Sequence, residues 1–422
     1  MSPAIVATPA VTPAPAKPTA RLTLDHGQLT RALKIAEFAV AAKSPAEAQR
    51  GVLIETGRGR ATLTTFDYET AVSVTVPGSA RKGGSLLHFA QLQKALAAMV
   101  AGETKAQAER TSVSLSGDLL STEHLTVPIG ALEMEEFTRP PEPVPAMATV
   151  DAGEFFAELK RVLPAAGRDD TMPVLTAVHL ALSGQNLTMA ATDRYRLAVG
   201  QVRAKATVRP MEAPLSVLFP ADVLTALLKR FKAYDGRIGV GLLDTGSSDI
   251  PRATLSLGDT TVTVHAREGK FPDYSSFFPA EAAVSVRMDR ATLVRAAKKG
   301  HAMAQAVGGR HSPIALHWSA EGTLCLAPVI GSPAEQARVK GMSVPFTLTR
   351  GAGDDVAGMS VNLNPAFLLA ALDAFTGQEA VTLHVRQFEE GQARRPVVLT
   401  ADVSSDDGYR HLLMPIRLDR SK

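Results

Sequence analysis

Hydrophobic and polar positions along this chain follow two periods that take turns. After each of three aspartates, Asp25, Asp151 and Asp289, apolar residues recur every three to four positions, in ALKIAEFAV, AELKRVLPAA and RAAKKGHAMA. Each aspartate has an apolar residue four positions on, Leu29, Phe155 or Leu293. That is the start signal of an amphipathic helix whose first amides a carboxylate can cap. A second helical pattern follows each time: LLHFAQLQKALAAM, VLFPADVLTALLKRF and VNLNPAFLLAALDAF, aligned on Leu92, Val223 and Phe367. Between the helices the period drops to two, as in ATLTTFDYETAVSVTV, NLTMAATDRYRLAV, SPIALHW and GTLCLAP. Such alternation predicts half-buried strands.

The two helix series run in step, so the chain reads as three copies of one unit of roughly 130 residues. The predicted fold class is α+β: three similar strand-rich domains with two helices each on largely antiparallel sheets. Proline-rich junctions divide it into a Pro/Ala-rich tail at 1–20 and domains at 21–146, 147–282 and 283–422. A repeated object of this kind tends to curve or close, and its two open ends leave sheet edges that call for a partner subunit.

Composition narrows the class. With 422 residues, 45% hydrophobic and 21% charged, the chain is an ordinary folded protein rather than a disordered or fibrous one. The single Cys325 cannot form an internal disulfide or a thiolate zinc cluster, and the ten histidines lack His-x-x-x-His spacing, so no metal is expected. The tail has neither a basic n-region nor a continuous apolar stretch, and no later apolar run approaches the ~20 residues that span a bilayer. A soluble, cytoplasmic protein without a membrane partner is the expectation. Gly241 to Gly246 has the glycine spacing of a phosphate loop but is followed by Ser247 and Ser248, without the lysine that reaches phosphate. The pairs Glu135-Glu136, Asp169-Asp170 and Asp354-Asp355 read as solvated turns. No enzyme, catalytic residue or cofactor is therefore expected.

A net charge of +3 decides little, but its distribution is informative. Arg31, Lys34, Lys94, Lys160, Arg161, Lys229, Arg230, Lys232, Arg295, Lys298 and Lys299 fall on or at the ends of the predicted helices. Lys43, Arg168 and Arg310 lie in the loop after each first helix. Solvated helix faces carry such residues anyway. Recurrence at matching places in three units favours a shared cationic face for a phosphate backbone, which requires charge but no base-edge geometry.

Four strings carry a resemblance: ATDRYRLAV (191–199), LGDTTVTVHAREGKFPDYSSFFP (257–279), NPAFLLAALDAF (364–375) and HLLMPIRL (411–418). With the threefold repeat they make residues ~21–418 resemble the bacterial DNA polymerase III beta subunit, the beta sliding clamp. The resemblance implies the DNA clamp fold, closed as a head-to-tail homodimeric ring around double-stranded DNA without regard to sequence. It also implies a processivity factor in DNA replication, tethering replicative and repair DNA polymerases, the clamp loader and other proteins with Gln-x-x-Leu-Phe-type motifs. Carried onto this chain, the peptide pocket would use Leu175, Thr192, Arg194, Tyr195, Arg196, Leu197, Pro272, Phe277, Asn364, Phe367, Pro396, Val397, Met414, Pro415, Ile416 and Arg417. Candidates for the dimer interface are Leu119 and Leu120 at one end and Ala302 and Met303 at the other. The pI near 8.9, the added tail and Ser276 depart from the family pattern and suggest a specialised second copy that replaces an inhibitor-sensitive clamp. The alternative is a clamp-like peptide-binding scaffold that does not encircle DNA.

Overall fold

The computed structural model describes residues 19–207, 215–244, 250–278, 284–309, 312–385, 396–401 and 408–416. The chain divides into two compact units, one of residues 1–143 with 256–263, the other of 144–255 with 264–422.

The first unit begins with β1 (Arg21–Asp25) and α1 (His26–Ala36), continues through β2 (Gly51–Gly57), β3 (Arg60–Phe66), β4 (Thr70–Pro77), β5 (Ser79–Arg81) and β6 (Gly83–His88), and reaches α2 (Phe89–Met99). The short α3 (Lys105–Arg110), β7 (Ser112–Ser116), β8 (Leu119–Ser121), β9 (Thr126–Pro128) and β10 (Ala131–Leu132) complete it. One antiparallel sheet has the order β5-β1-β7-β8-β9. The other runs β10-β6-β2-β3-β4. Helix α1 turns Leu29, Ala32, Leu33 and Ala36 into the core at helical spacing.

The second unit contains β11 (Ala148–Asp151), α4 (Ala152–Val162), β12 (Ala177–Ser183), β13 (Asn186–Thr192), β14 (Arg196–Ala206), β15 (Leu215–Pro220), α5 (Ala221–Arg230), β16 (Arg237–Leu243) and the start of β17 (Arg252–Leu257), which with the next strand lends residues 256–263 to the first unit. Strand β18 (Thr260–His265) leads towards β19 (Val284–Asp289), α6 (Arg290–Met303), β20 (Ile314–Trp318), β21 (Thr323–Pro328), α7 (Pro333–Gln336) and β22 (Met342–Arg350). After α8 (Gly353–Val356) come β23 (Ser360–Leu363), α9 (Pro365–Asp373), β24 (Ala380–Val385), β25 (Val397–Ala401) and β26 (Arg410–Leu413). Two of the three expected aspartate caps accept a helix amide, Asp151 from Glu154 at 3.0 Å and Asp289 from Thr292 at 2.7 Å, whereas at Asp25 the Gln28 side chain accepts the Asp25 amide at 3.4 Å.

The C-terminal strand decides how the second unit holds together. β26 pairs with β14 on one side and β25 on the other, giving the antiparallel order β15-β12-β13-β14-β26-β25-β24-β19-β22. A single sheet thus runs from the strands before α5 to those around α6, and β26 is its seam.

Candidate functional site at the sheet seam

The seam is flanked by a tight turn between β13 and β14. Asp193 Oδ1 accepts the amides of Tyr195 and Arg196, each at 3.0 Å, while Thr192 Oγ1 donates to Arg196 O at 2.7 Å and accepts the Arg194 amide at 3.1 Å. Arg194 adopts a φ of 78°, a left-handed conformation that costs an arginine energy and persists because these bonds over-determine it. The first unit repeats the device: Asp67 Oδ1 accepts from Glu69 and Thr70 at 3.0 and 2.7 Å, with Tyr68 at φ 76°. Asp193 is therefore a builder of the turn.

The turn sorts its side chains. Tyr195 projects outward, 56% exposed. Arg194 lies beside it, its guanidinium 5.8 Å from the Tyr195 ring. Arg194 also helps hold the Asp169 carboxyl below its ordinary pKa, a shift set first by the hydrogen bonds from Thr171. Arg196 instead folds back, Nε donating to Asp193 Oδ2 at 2.8 Å and its guanidinium lying 4.4 Å over the Phe367 ring of α9. Asn364 caps α9 by accepting the Ala366 amide at 2.9 Å.

Across the seam, Arg196 and Leu197 pair with Leu413 and Leu412, and Leu413 with Val397. Beyond β26 the chain is held by two amides: Met414 donates to Tyr195 O and Ile416 to Asn362 O, both at 2.8 Å. Met414 packs, partly buried, on a cluster containing Leu197, Leu412, Val398 and Phe271. Pro396, Pro415 and Ile416 are half-buried, and Pro272 and Phe277 are exposed. The sequence-predicted set thus meets at the seam through Thr192, Arg194, Tyr195, Arg196, Leu197, Phe367 and Met414. Val397, expected on the surface, is 1% exposed because β25 is covered on both faces, its neighbours Val398 and Leu399 being buried as well. Leu175 and Leu197 are buried too, Leu197 inside the cluster, and Val174, the neighbour of Leu175, is the residue packed on it. Arg417 lies outside the described residues.

Sequence reasoning missed an aromatic series. Phe271, Tyr274 and Phe278 follow edge to face at 5.9 and 6.2 Å, and Arg410 of β26 sits 5.8 Å from the Phe278 ring. The spacing of aromatics in FPDYSSFF was the available signal.

Of the basic residues, Arg31, Lys34, Lys43, Lys94, Lys160, Arg168, Lys229, Arg230, Lys232, Arg295, Lys298 and Lys299 are exposed. Arg310 lies outside the described residues. Arg161 corrects the expectation: its side chain is 19% exposed and paired with the still more buried Glu158 at 3.0 Å. Its Nε donates to Ala374 O at 2.8 Å and its guanidinium lies 4.0 Å over the Tyr409 ring. Tyr409 returns a hydrogen bond to Arg161 O at 2.8 Å, joining α4 to the approach to β26. This guanidinium is spent on packing and does not belong to a phosphate-facing set. His411, two residues on, is fully buried, and burial, with Arg196 contributing, pushes its imidazole pKa down to about 3.

At the candidate interface Leu119 is 43% exposed but Leu120 is wholly buried. Successive residues of β8 face opposite sides, so Leu120 belongs to the core and cannot supply contact surface. Ala302 and Met303 are exposed at the end of α6. Leu125, just before the edge strand β9, and Val307, in the π-helical turn after α6, are large exposed apolar residues that the sequence reading did not name. Among the described residues no group of three or more His, Cys, Asp or Glu could hold a metal ion, and no helix is long and apolar enough to cross a membrane.

Residues 149–273 match the family described as DNA polymerase III beta subunit, central domain. The chain is 28% identical over 407 residues to the beta sliding clamp of Streptomyces coelicolor, covering 94% of this chain and 99% of that protein. It is 27% identical to the beta sliding clamp homolog GriR of Streptomyces muensis, over 88% of this chain and 92% of the relative. In fold it superposes on a Pseudomonas aeruginosa sliding clamp bound to griselimycin with a TM-score of 0.76 at 20% identity, over 95% of this chain and all of that one.

Proposed function

This chain belongs to the family of the bacterial DNA polymerase III beta subunit, and from that premise we propose that it is a processivity factor that encircles duplex DNA as a head-to-tail homodimer. The clamp fold and the DNA-replication context follow from the family. The ring, its contents and its partners are our reading. Three domains, at 21–146, 147–282 and 283–422 after a Pro/Ala-rich tail, contribute two long helices each. Their exposed cations face phosphate, without catalysis, and the protein acts in the cytoplasm. Leu119 and Leu125 of one copy meet Ala302, Met303 and Val307 of the next.

The observation that carries the tethering half of this reading is the seam itself. There a bonded turn presents Tyr195 and Arg194 beside Met414, over an apolar cluster on which Tyr274 and Phe278 also pack. Apolar anchors of a Gln-x-x-Leu-Phe-type peptide, carried by polymerases or the loader, enter beside Met414 while guanidinium groups fix its polar ends. The departures in pI and tail support a specialised second copy. The test is topological: protein placed on closed circular DNA by an ATP-driven loader should survive moderate salt and be lost once the circle is cut. Equal loss from circular and linear DNA would identify a scaffold that does not encircle.

A further inference from the structure

A second hollow opens in the same unit as the seam. Its volume is about 880 Å³, within the range of roughly 300–1,000 Å³ typical of ligand clefts. Its floor is formed by β12 and β15, where His179 and Leu218 are cross-strand partners. The segment from Arg267 to Ser275 lines one side, anchored where the Arg267 amide donates to Leu218 O at 2.8 Å. Phe271 is the partition. Its ring stacks on His179 at 5.0 Å and 8°, and the same residue belongs to the cluster of Leu197 and Leu412 on which Met414 packs. Tyr274 likewise lines the hollow and packs on that cluster. Hollow and seam therefore share a wall of aromatic side chains.

The lining chemistry selects the occupant. Three carboxylates, Asp244, Glu268 and Asp273, stand against two cations, Arg267 and Lys270. That balance disfavours phosphate and with it nucleic acid, whose binding rests on a positive surface. Apolar Val217 and Pro251 alternate with the hydroxyls of Ser216 and Ser275, a mixed surface suited to extended polypeptide. We propose that this hollow is an auxiliary docking groove for the stretch of partner polypeptide that flanks the anchor peptide held at the seam. The inference rests on the peptide-binding role proposed above. Because the anchor tethers the flanking stretch, even a weak contact here adds affinity through a millimolar effective concentration.

The test compares two probes by calorimetry on the full-length protein: the pentapeptide Gln-Ala-Ala-Leu-Phe and a purified DNA polymerase carrying a motif of that type. Ser216→Trp, which fills the hollow, should weaken the polymerase at least tenfold and leave the pentapeptide unchanged. Lys270→Glu, an exposed change that leaves the fold alone, should move only the polymerase, by a few-fold. Undiminished polymerase affinity in both variants would overturn the proposal. So would equal weakening of both probes by Ser216→Trp with Lys270→Glu silent, since that pattern marks a disturbed domain. A change in self-association with polymerase binding intact would assign the hollow to a second copy of the chain and overturn it too. Failure of the pentapeptide to bind the unmodified protein at all is a different result: it refutes the seam pocket, and this proposal with it.

Discussion

Replacing Arg161 by alanine separates a packing role from a phosphate-binding role. In the structure the guanidinium is mostly buried, paired with Glu158 at 3.0 Å, bonded to Ala374 O and stacked on Tyr409. Removing it leaves the Glu158 carboxylate, itself 10% exposed, without this counter-charge. Breaking a buried pair from one side costs about 3–5 kcal/mol, and the lost stacking on Tyr409 is part of the same event rather than an addition to it. Some residual exposure argues for the lower end, about 3 kcal/mol. For a unit of this size, residues 144–255 with 264–422, that lowers the melting temperature by roughly 5 °C. Gly200→Ala should act on the same pair from below, because a Cβ there would run into the Glu158 carboxylate. The assay is differential scanning calorimetry alongside the salt dependence of DNA binding, with Lys160→Ala as the exposed control. Lys160→Ala should leave melting unchanged and reduce the salt slope by about 0.9. If Arg161→Ala behaved like Lys160→Ala, unchanged in melting and shallower in salt slope, the packing argument would be refuted.

Met414→Ala should weaken binding of a Gln-x-x-Leu-Phe-type peptide by about 2 kcal/mol or more in calorimetry, with DNA retention unchanged, whereas Leu197→Ala should also lower the melting temperature because Leu197 is part of the buried cluster. His411 is neutral when folded, with a pKa depressed to about 3 from an ordinary 6.5. The unfolded chain therefore binds the extra proton between those values, and this contribution to stability is full above about pH 6.5 and is lost as pH falls towards 3. Urea midpoints of His411→Gln measured across that window should fall less steeply than those of the unmodified protein. Met303→Glu should shift sedimentation towards monomer while the melting of each unit holds. Leu120→Ala should instead destabilise the fold by about 2–5 kcal/mol, because its side chain fills the core.

The local grammar was legible without coordinates. The helices after Asp25, Asp151 and Asp289, the strands that alternate between them and the aspartate-headed turns at Asp67 and Asp193 all follow from spacing and capping chemistry, which act within a few residues. The strings around Tyr195 and Met414 were also legible as a set, because their order along the chain is specific. Tertiary structure decided which members of those strings reach the surface. Leu120 faces the interior because one step along a strand reverses the side chain, and Val397 because β25 is covered on both faces; the sequence alone does not say which sides are covered. Arg161 looked like any other cation on a helix until α9 and the approach to β26 enclosed it. The seam was hidden for the same reason: β14 and β26 are more than two hundred residues apart, and only their pairing places Arg196 over Phe367 and Met414 beside Tyr195. Local periodicity records what a residue's near neighbours require, whereas a long-range pairing depends on surfaces that exist only once both partners have folded.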